Sequence, residues 1–409
     1  MPAKRMNTPL PQTVQPETEE SRKKKNRLIL VIGILTALAL SAVVYLISYF
    51  RNDSGWREIS VQSGSSMNCG SYFLFQYKLQ RQYGGNDFRR VSAAYSEACV
   101  KAYEMFDPLQ AHPGTHGIFD VNAAPNEIVS VEPELYRAFS LMEEKGSRAL
   151  YLGPIYAVYT ELFLSTNDIL AQQFDPYYNE ETAAYFAELI PFLSDPAHIR
   201  LELLGNDQVR LTLSEEYRLY AAENNITVFL DFYWLTNAFI LDYLTEQIAA
   251  TGYTNGYLIS SEGFVSCLDD SAEVYQYAVK TRVGDASIPA AQMSYSGPLK
   301  IVSLFDYTTN NNLADYYFPY SPEHFATAYI DPADGYYKSA LPALTLYSPT
   351  ASCAELALAA AQLFIADQID AAAAQAFSEQ GLFSIYCAGT TICSFGNAAL
   401  SPQNGYSLP

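Results

Sequence analysis

The chain has 409 residues and a formal net charge of −20, and its 49% hydrophobic content is enough for a sizeable core. The charge is uneven, because residues 1–51 carry eight Lys or Arg against three Glu (+5), which leaves −25 for the remainder. A domain with that charge repels phosphate backbones, so nucleic acid is excluded as a partner.

The amino-terminal region has the pattern of a single membrane-spanning helix. Residues 28–50 contain no charge, and these 23 residues would span about 35 Å as a helix, more than the roughly 30 Å hydrocarbon core of a bilayer. Five basic residues between Arg22 and Arg27 precede the run, so the positive-inside rule places the amino terminus in the cytoplasm. The run is too long for a cleaved signal peptide, and no small-x-small site follows it. We therefore predict a single-pass protein of the cell membrane with an extracytoplasmic domain.

The predicted organisation has five consecutive parts. They are a disordered cytoplasmic tail at 1–27, a transmembrane signal anchor at 28–50, a juxtamembrane linker at 51–66, an ectodomain at 67–400 and a tail at 401–409.

The first half of the ectodomain mixes strands with amphipathic helices. We predict an alternating strand from Met67, a helix over 87–106, a helix from Ser130 as N-cap to about Lys145, two helices at 154–163 and 181–193, and a β-hairpin over 198–213.

Residues 226–265 have the pattern of a crossover unit around which the domain is organised. Residues 226–232 are apolar, β-branched and aromatic, which is typical of a strand. Leu241, Leu244 and Ile248 then recur at helical spacing before Gly252, and 257–265 is predicted to be a second strand. Such a unit leaves its ligand-binding residues in the turns at the strand ends, here 233–237 and 260–263.

The second half of the ectodomain continues the alternation. We predict strands at 275–283, 299–307 and 341–347, loops at 285–298 and 310–322, helices at 352–367 and 370–380, and a hairpin of 382–388 with 392–395. The order of elements predicts an α+β fold with a mixed central sheet and flanking helices, preceded by one transmembrane helix.

Six cysteines lie outside the membrane in this topology, where disulfides persist. Cys387 and Cys393 would face each other if the last hairpin turned over 389–391. No CxxC or Cys/His grouping argues for zinc, and Pro113 and Gly114 separate His112 from His116, so these two rings do not share a helix face.

From Met67 to Phe395, about 80% of the chain, the order of elements resembles the FAD:protein FMN transferase family. Members of that family are extracytoplasmic, often membrane-tethered enzymes that use Mg²⁺ to move FMN from FAD onto a Thr or Ser of a partner protein. Residues 67–70 stand where the family has a Met-Gly-Thr-type strand, and Phe106-Asp107-Pro108 resembles its Tyr-Asp-Pro turn.

The segments that resemble the family's flavin-binding motifs are altered. Residues 230–238 resemble Leu-Asp-x-Gly-x-x-Ala-Lys-Gly, with Asp231 kept, Tyr233 in place of glycine and Asn237 in place of lysine. Residues 260–263, Ser-Ser-Glu-Gly, resemble the Asn-x-Gly-Gly turn, with Glu262 in place of a glycine.

Three further segments carry the resemblance. Residues 303–307 resemble Thr-Ser-Gly-Asp-Tyr and keep Asp306, with Phe305 in place of glycine. Residues 328–335 resemble His-x-x-Asp-Pro-x-Thr-Gly and keep Asp331, which could equally be a turn residue before Pro332. Residues 354–359 resemble the metal-binding Ala-Asp-Ala-x-x-Thr helix, with Glu355 as the remaining metal candidate or as part of a Ser-x-x-Glu capping box.

The resemblance implies a former flavin groove with a metal site beside it at Glu355. The residues it assigns to that groove are Asp231, Asn237, Ser260, Glu262, Gly263, Asp306 and Asp331.

Phosphoryl transfer needs cations around the phosphates, so losing the lysine and gaining Glu262 favours a catalytically degenerate domain. Such a domain would bind a small aromatic ligand or a partner protein at the cell surface. The first alternative is an active, divergent FMN transferase, and FAD and Mg²⁺ are expected as cofactors only in that case. The second is a structural interaction domain of the cell envelope.

Overall fold

The computed structural model describes residues 55–62, 67–79, 84–284, 286–309, 316–321 and 324–409. The predicted cytoplasmic tail and membrane anchor lie outside these residues. Within them, no helix is both long and apolar enough to cross a membrane. The observed fold is α+β, as predicted.

The strands, numbered in chain order, are mostly short. They are β1 Gly55–Ile59, β2 Phe73–Leu79, β3 Val129–Ser130, β4 Ile199–Gly205, β5 Gln208–Leu213, β6 Gly256–Ser260, β7 Val265–Cys267, β8 Val274–Val283, β9 Ala286–Ser296, β10 Leu299–Phe305, β11 Tyr317–Ser321, β12 His324–Thr327, β13 Ala343–Ser348, β14 Phe383–Ala388, β15 Thr391–Phe395 and β16 Ala399–Pro402.

The α-helices are numbered in the same way. They are α1 Gly84–Phe106, α2 Ile118–Ala123, α3 Pro133–Glu144, α4 Gly153–Leu164, α5 Asp168–Ala171, α6 Glu180–Ser194, α7 Glu215–Glu223, α8 Thr236–Ala250, α9 Cys353–Phe364 and α10 Ala371–Glu379.

An eight-stranded sheet in the order β1-β2-β6-β7-β10-β13-β14-β15 is the largest element of the fold. The neighbouring pairs from β2 to β15 are antiparallel, so this part of the sheet is not mixed as predicted. Helices α8 and α9 pack on one face, and the three-stranded sheet β16-β9-β8 covers the other. Because apolar residues alternate along the strands, Ile301 packs under β8 and β9 while Val302 packs in the helix-covered core.

The crossover prediction for 226–265 is wrong. Residues 226–232 form no strand and have no regular secondary structure before α8. The buried Asn122 side chain accepts hydrogen bonds from the N–H groups of Phe229 (3.1 Å) and Leu230 (2.9 Å) and donates one to Leu230 C=O (2.9 Å). One side chain therefore satisfies the backbone groups that a neighbouring strand would satisfy. Residues 257–265, predicted as one strand, turn back as the β6–β7 hairpin.

Several other boundaries differ from the predictions. Ser130 lies in β3, and the N-cap of α3 is Glu132, so the predicted capping role of Ser130 is wrong. The predicted loop at 285–298 contains β9, and β1 lies inside the predicted linker. The predicted tail at 401–409 begins inside β16, which pairs with β9.

All six cysteines are free. The register of the last hairpin places Cys387 opposite Ile392 and Cys393 opposite Tyr386. Successive residues of a strand point to opposite faces, so the two thiols lie on different sides of the sheet. The predicted pairing of Cys387 with Cys393 is therefore wrong.

Candidate functional site

A cavity of about 310 Å³ opens between α1, α4 and the start of α8, and we call it the groove cavity. It contains two of the predicted groove residues, Asp231 and Asn237. Five aromatic residues contribute to its wall, Tyr72, Tyr103, Phe106, Tyr233 and Tyr316.

Asp231 is fixed in the groove cavity by backbone hydrogen bonds. Its N–H donates to Leu150 C=O at 2.9 Å, and its Oδ1 accepts from the Tyr233 N–H at 2.8 Å. Burial, together with a smaller effect of the neighbouring Asp107, raises the pKa of Asp231 to about 7, although the hydrogen bond from the Tyr233 N–H lowers it. The groove cavity therefore contains a carboxyl group that titrates near neutral pH.

Tyr233 has the backbone conformation of a glycine. Its φ is +46°, in the left-handed region, which costs a non-glycine residue roughly 1–2 kcal/mol. Its ring centroid lies 4.5 Å from that of Tyr156 and 5.7 Å from that of Tyr316. Tyr233, which stands where the resemblance places a glycine, therefore has a backbone conformation that favours glycine. Its aromatic ring lines the groove cavity.

Asn237 and Glu262 form a buried pair. Their exposed fractions are 4% and 3%, and the Asn237 Nδ2 donates to Glu262 Oε1. Burial raises the pKa of Glu262, although hydrogen bonds from Ser260, Asn237 and Ser261 oppose the rise. The amide that stands at the family's lysine position is therefore engaged by a carboxyl group of the same chain.

Ser260 and Gly263 shape the turn that carries Glu262. The Ser260 N–H donates to Phe264 C=O at 2.8 Å, and the Gly263 N–H donates to Ser260 C=O at 3.0 Å. Gly263 has a φ of +96°, which a residue with a side chain rarely adopts. This tight turn directs the Glu262 side chain into the core.

Asp306 and Asp331 do not line the groove cavity. Asp306 pairs with Arg282 at 3.0 Å and lines a second cavity, of about 620 Å³. Asp331 Oδ2 accepts from Lys338 at 2.7 Å, and its Oδ1 accepts from the Ala333 N–H at 2.9 Å. Asp331 is therefore a turn residue, as the alternative interpretation predicted.

Glu355 closes the predicted capping box. Ser352 Oγ accepts from the Glu355 N–H at 3.0 Å, and Glu355 Oε2 accepts from the Ser352 N–H at 2.9 Å. Asp242 adds a second carboxylate at this helix start, accepting from the N–H groups of Cys353 and Ala354 at 2.8 Å each. Both carboxylates are thus occupied as acceptors for the first turn of α9.

The groups at these positions do not fit FAD with Mg²⁺. Glu355 and Asp242 already bind backbone N–H groups, and Ala359 offers no side-chain oxygen. Nowhere in the part of the chain that the structure describes do three or more His, Cys, Asp or Glu side chains cluster as metal ligands would. The groove cavity is lined by carboxylates and aromatic rings, with no Lys, Arg or His among its described lining residues.

Sequence reasoning did not identify three features near these sites. Asn122 and Asp242 act on segments more than 100 positions away in the chain, and no local pattern marks them. The third feature is the aromatic wall of the second cavity. Its sequence signal is the pair of similar runs Asp175-Pro-Tyr-Tyr and Asp334-Gly-Tyr-Tyr, which supply Tyr177, Tyr178 and Tyr337.

Asp231→Asn is expected to remove part of the pH dependence of stability. The folded-state pKa of about 7 lies above the ordinary value near 4, so protonation favours the folded chain. This stabilisation is complete below about pH 4 and is lost as the pH rises through about 7. The wild type should therefore lose about 2 kcal/mol of unfolding free energy between pH 5 and pH 8 that the variant keeps.

Chemical denaturation at both pH values measures the difference. The side-chain amide oxygen that Asp231→Asn introduces can still accept from the Tyr233 N–H, and Asp270→Asn, at an exposed site, is the matched control. An equal loss of unfolding free energy in the wild type and in Asp231→Asn would contradict the raised pKa of Asp231.

The α+β fold, with its eight-stranded, largely antiparallel sheet covered by helices on one face, is similar to that of solved flavin transferases. No family model matches the chain, and no curated protein matches it by sequence. The ApbE protein from Thermotoga maritima superposes with a TM-score of 0.54 at 14% identity, over 85% of this chain and 96% of that one. The flavin transferase ApbE from Vibrio cholerae gives 0.55 at 11% identity, over 86% and 98%.

A third solved structure, the flavinyl transferase ApbE from Pseudomonas stutzeri in its apo form, gives a TM-score of 0.51 at 11% identity, over 83% and 94%. These likenesses confirm the resemblance to the FMN transferase family at the level of the fold. At such low identity they carry no statement about activity.

Proposed function

We propose that this chain is a non-catalytic domain with the flavin-transferase fold, which binds a small, phosphate-free aromatic ligand in the groove cavity. The observation that carries the proposal is the charge of the lining. Asp107 and Asp231 face the cavity among aromatic rings, and no cation is present among the described lining residues. Phosphates there would meet the carboxyl groups of Asp107 and Asp231 without a lining Lys or Arg to neutralise the phosphate charge, because the nearby His112 already pairs with Asp107 at 2.9 Å. A planar ring, by contrast, finds apolar contact surface.

The Asn237–Glu262 pair supports the same proposal. A lysine in that position could neutralise a phosphate, but the Asn237 amide is uncharged and already donates to Glu262. The cavity volume of about 310 Å³ suits a fused aromatic ring system better than a whole dinucleotide.

We also propose that residues 28–50 anchor the domain to the cell membrane on its extracytoplasmic side, where a partner protein could reach it. The support is the uncharged run and the basic residues before it. Protease treatment of intact cells would degrade the domain, whereas protection until lysis would contradict this topology.

Riboflavin, FMN and FAD test the ligand proposal because they share one ring system and differ in phosphate. We expect riboflavin to bind the full chain in non-ionic detergent about tenfold more tightly than FMN, because a phosphate would lie near the carboxyl groups of Asp107 and Asp231 with no lining Lys or Arg to neutralise it. FAD should also bind more weakly than riboflavin. Quenching of flavin fluorescence measures the three affinities.

Thr160→Trp fills the groove cavity from α4 and should abolish riboflavin binding. Leu164→Trp, at the 66% exposed end of the same helix, is the matched control and should bind normally. FMN or FAD binding as tightly as riboflavin would favour the active transferase instead. Failure of all three to bind would contradict the proposal and favour a structural interaction domain.

A further inference from the structure

The second cavity, of about 620 Å³, has a composition that the groove function does not use. It lies beside β12, and aromatic rings and carboxylates face it together. The aromatic wall residues are Tyr177, Tyr178, Phe325 and Tyr337, and the charged or ionisable ones are Asp306, Asp367, His324 and Lys338.

The aromatic rings of this cavity are held in place while they remain accessible. Tyr177 and Tyr178 are 53% and 45% exposed. The Tyr177 hydroxyl donates to Tyr337 C=O at 3.1 Å, and the Tyr178 hydroxyl lies 3.1 Å from His324 Nδ1. Because their hydroxyl ends are fixed, the rings present ordered π surfaces, which attract a cation within about 6 Å of the ring centre.

The charged groups around the cavity sum to a negative charge. Asp306 pairs with Arg282 at 3.0 Å, which leaves no excess charge there. Lys338, by contrast, faces three carboxylates, those of Asp331 at 2.7 Å, Asp334 at 2.6 Å and Asp367 at 3.9 Å. Together with Asp306 these make four carboxylates against two cations, Arg282 and Lys338. The Asp367 side chain is 86% exposed.

Two polar atoms of residues lining this cavity lack a hydrogen-bond partner. Thr327 is only 2% exposed, and its Oγ1 has no partner. Asp306 Oδ1 is also buried and has none, because Arg282 binds the other oxygen. A buried polar group without a partner is unfavourable and calls for an explanation. Both atoms can accept a hydrogen bond, so they are candidate acceptors for the N–H groups of a ligand.

We propose that the second cavity binds an organic cation bearing N–H donors, either a primary ammonium or a guanidinium. The aromatic faces, the excess of carboxylates and the two unpartnered acceptors each favour this chemistry. The net negative charge would repel an anion, and it would not attract a neutral saccharide. The same group occurs on a free small amine and on a Lys or Arg side chain of a basic peptide. This inference does not depend on the function proposed for the groove cavity.

Isothermal titration calorimetry of the full chain in non-ionic detergent tests the proposal. The small-molecule probes are butylammonium, butylguanidinium and neutral N-butylacetamide. The peptide probes are a blocked Gly-Arg-Gly and its Gly-citrulline-Gly counterpart, which keeps the shape of arginine without the charge. We expect each cation to bind at least tenfold more tightly than its neutral counterpart. Tighter binding of the peptide than of butylguanidinium would assign the site to a basic peptide, and the reverse order to a small amine.

Two variants localise the binding. Asp367→Asn removes an exposed charge and should weaken cation binding about threefold to tenfold. Thr327→Val removes the unpartnered hydroxyl, so it should weaken binding by a similar factor while the thermal midpoint stays unchanged or rises. Asp270→Asn is the matched control, at an exposed position outside the cavity, and should bind normally.

Three results would overturn the proposal. The first is an absence of cation binding at millimolar concentration, and the second is equal binding of cations and neutral counterparts. The third is an unchanged affinity of Asp367→Asn for the cations. Because the Asp367 side chain is 86% exposed, this variant should fold normally, so it tests the proposal even if Thr327→Val misfolds.

Discussion

Incubation of the purified chain with FAD, Mg²⁺ and a Thr-containing acceptor peptide is expected to leave the peptide free of FMN. The family resemblance assigns catalysis to a lysine, a histidine and a threonine, whose positions are occupied here by Asn237, Ala328 and Ala359. These residues supply neither the lysine's charge, nor an imidazole, nor the threonine's metal-binding oxygen. One missing electrostatic group typically costs on the order of 100- to 1000-fold in rate. These groups act as one unit, so their losses need not multiply, but turnover should still fall below detection.

In-gel fluorescence and the mass increment of FMN on the peptide measure the outcome, with the Vibrio cholerae flavin transferase ApbE as the positive control. Labelled peptide with the wild-type chain would show that the degenerate interpretation is wrong.

Restoring single family residues is expected to fail for structural reasons. An Asn237→Lys side chain would lie against Glu262, so its charge would be satisfied internally. Ala328 is fully buried, so Ala328→His would overpack the core. A stricter test combines Tyr233→Gly, Asn237→Lys and Glu262→Gly, which restores the space and the charge of the groove together. Strong FMN-transferase activity of Asn237→Lys alone would contradict the interpretation that Glu262 satisfies the charge of the new lysine.

Asn237→Leu is expected to lower the free energy of unfolding by about 3 kcal/mol at pH 7.5. The substitution removes the Nδ2 donor and leaves Glu262 buried, with its Oε2 already lacking a partner. Urea denaturation of the variant measures the loss. Glu262→Gln is the informative companion, because it replaces the buried carboxyl group with an amide of the same shape.

Glu262→Gln alone should be neutral or stabilising, and in the double variant it should recover about 1–2 kcal/mol of the loss caused by Asn237→Leu. The double-mutant cycle therefore separates the cost of an unpaired carboxylate from the cost of changed packing. Strictly additive effects would mean that the two side chains do not interact energetically.

Elements determined by local patterns were predicted well from the sequence. The helix over 87–106, the hairpin over 198–213 and the capping box that opens α9 all occur, because periodicity, turn residues and caps act within a few residues of each other. The order of these elements was also enough to suggest the flavin-transferase fold, which the solved structures confirm.

Predictions that depended on distant partners failed. Residues 226–232 have the composition of a strand, but Asn122, more than 100 positions earlier, satisfies their backbone groups. Strand β9 lies in the segment predicted as a loop at 285–298, and its Pro289 is accommodated at an irregularity of the β8–β9 pairing. In the candidate site, the sequence identified Asp231 and Asn237 as neighbours but could not show that Asn237 binds Glu262 or that Asp306 faces a different cavity.

Residues 399–407 lie along the edges of two sheets. Strand β16 pairs with β9, and the backbone of Ser407 exchanges hydrogen bonds with Thr390 and Ile392 at the outer side of β15. Unpaired strand edges are templates on which other chains can pair and aggregate. The segment that the sequence suggested was a tail therefore covers the β9 edge of the three-stranded sheet and contacts the β15 edge of the large sheet, two places where the strand of another chain could otherwise pair.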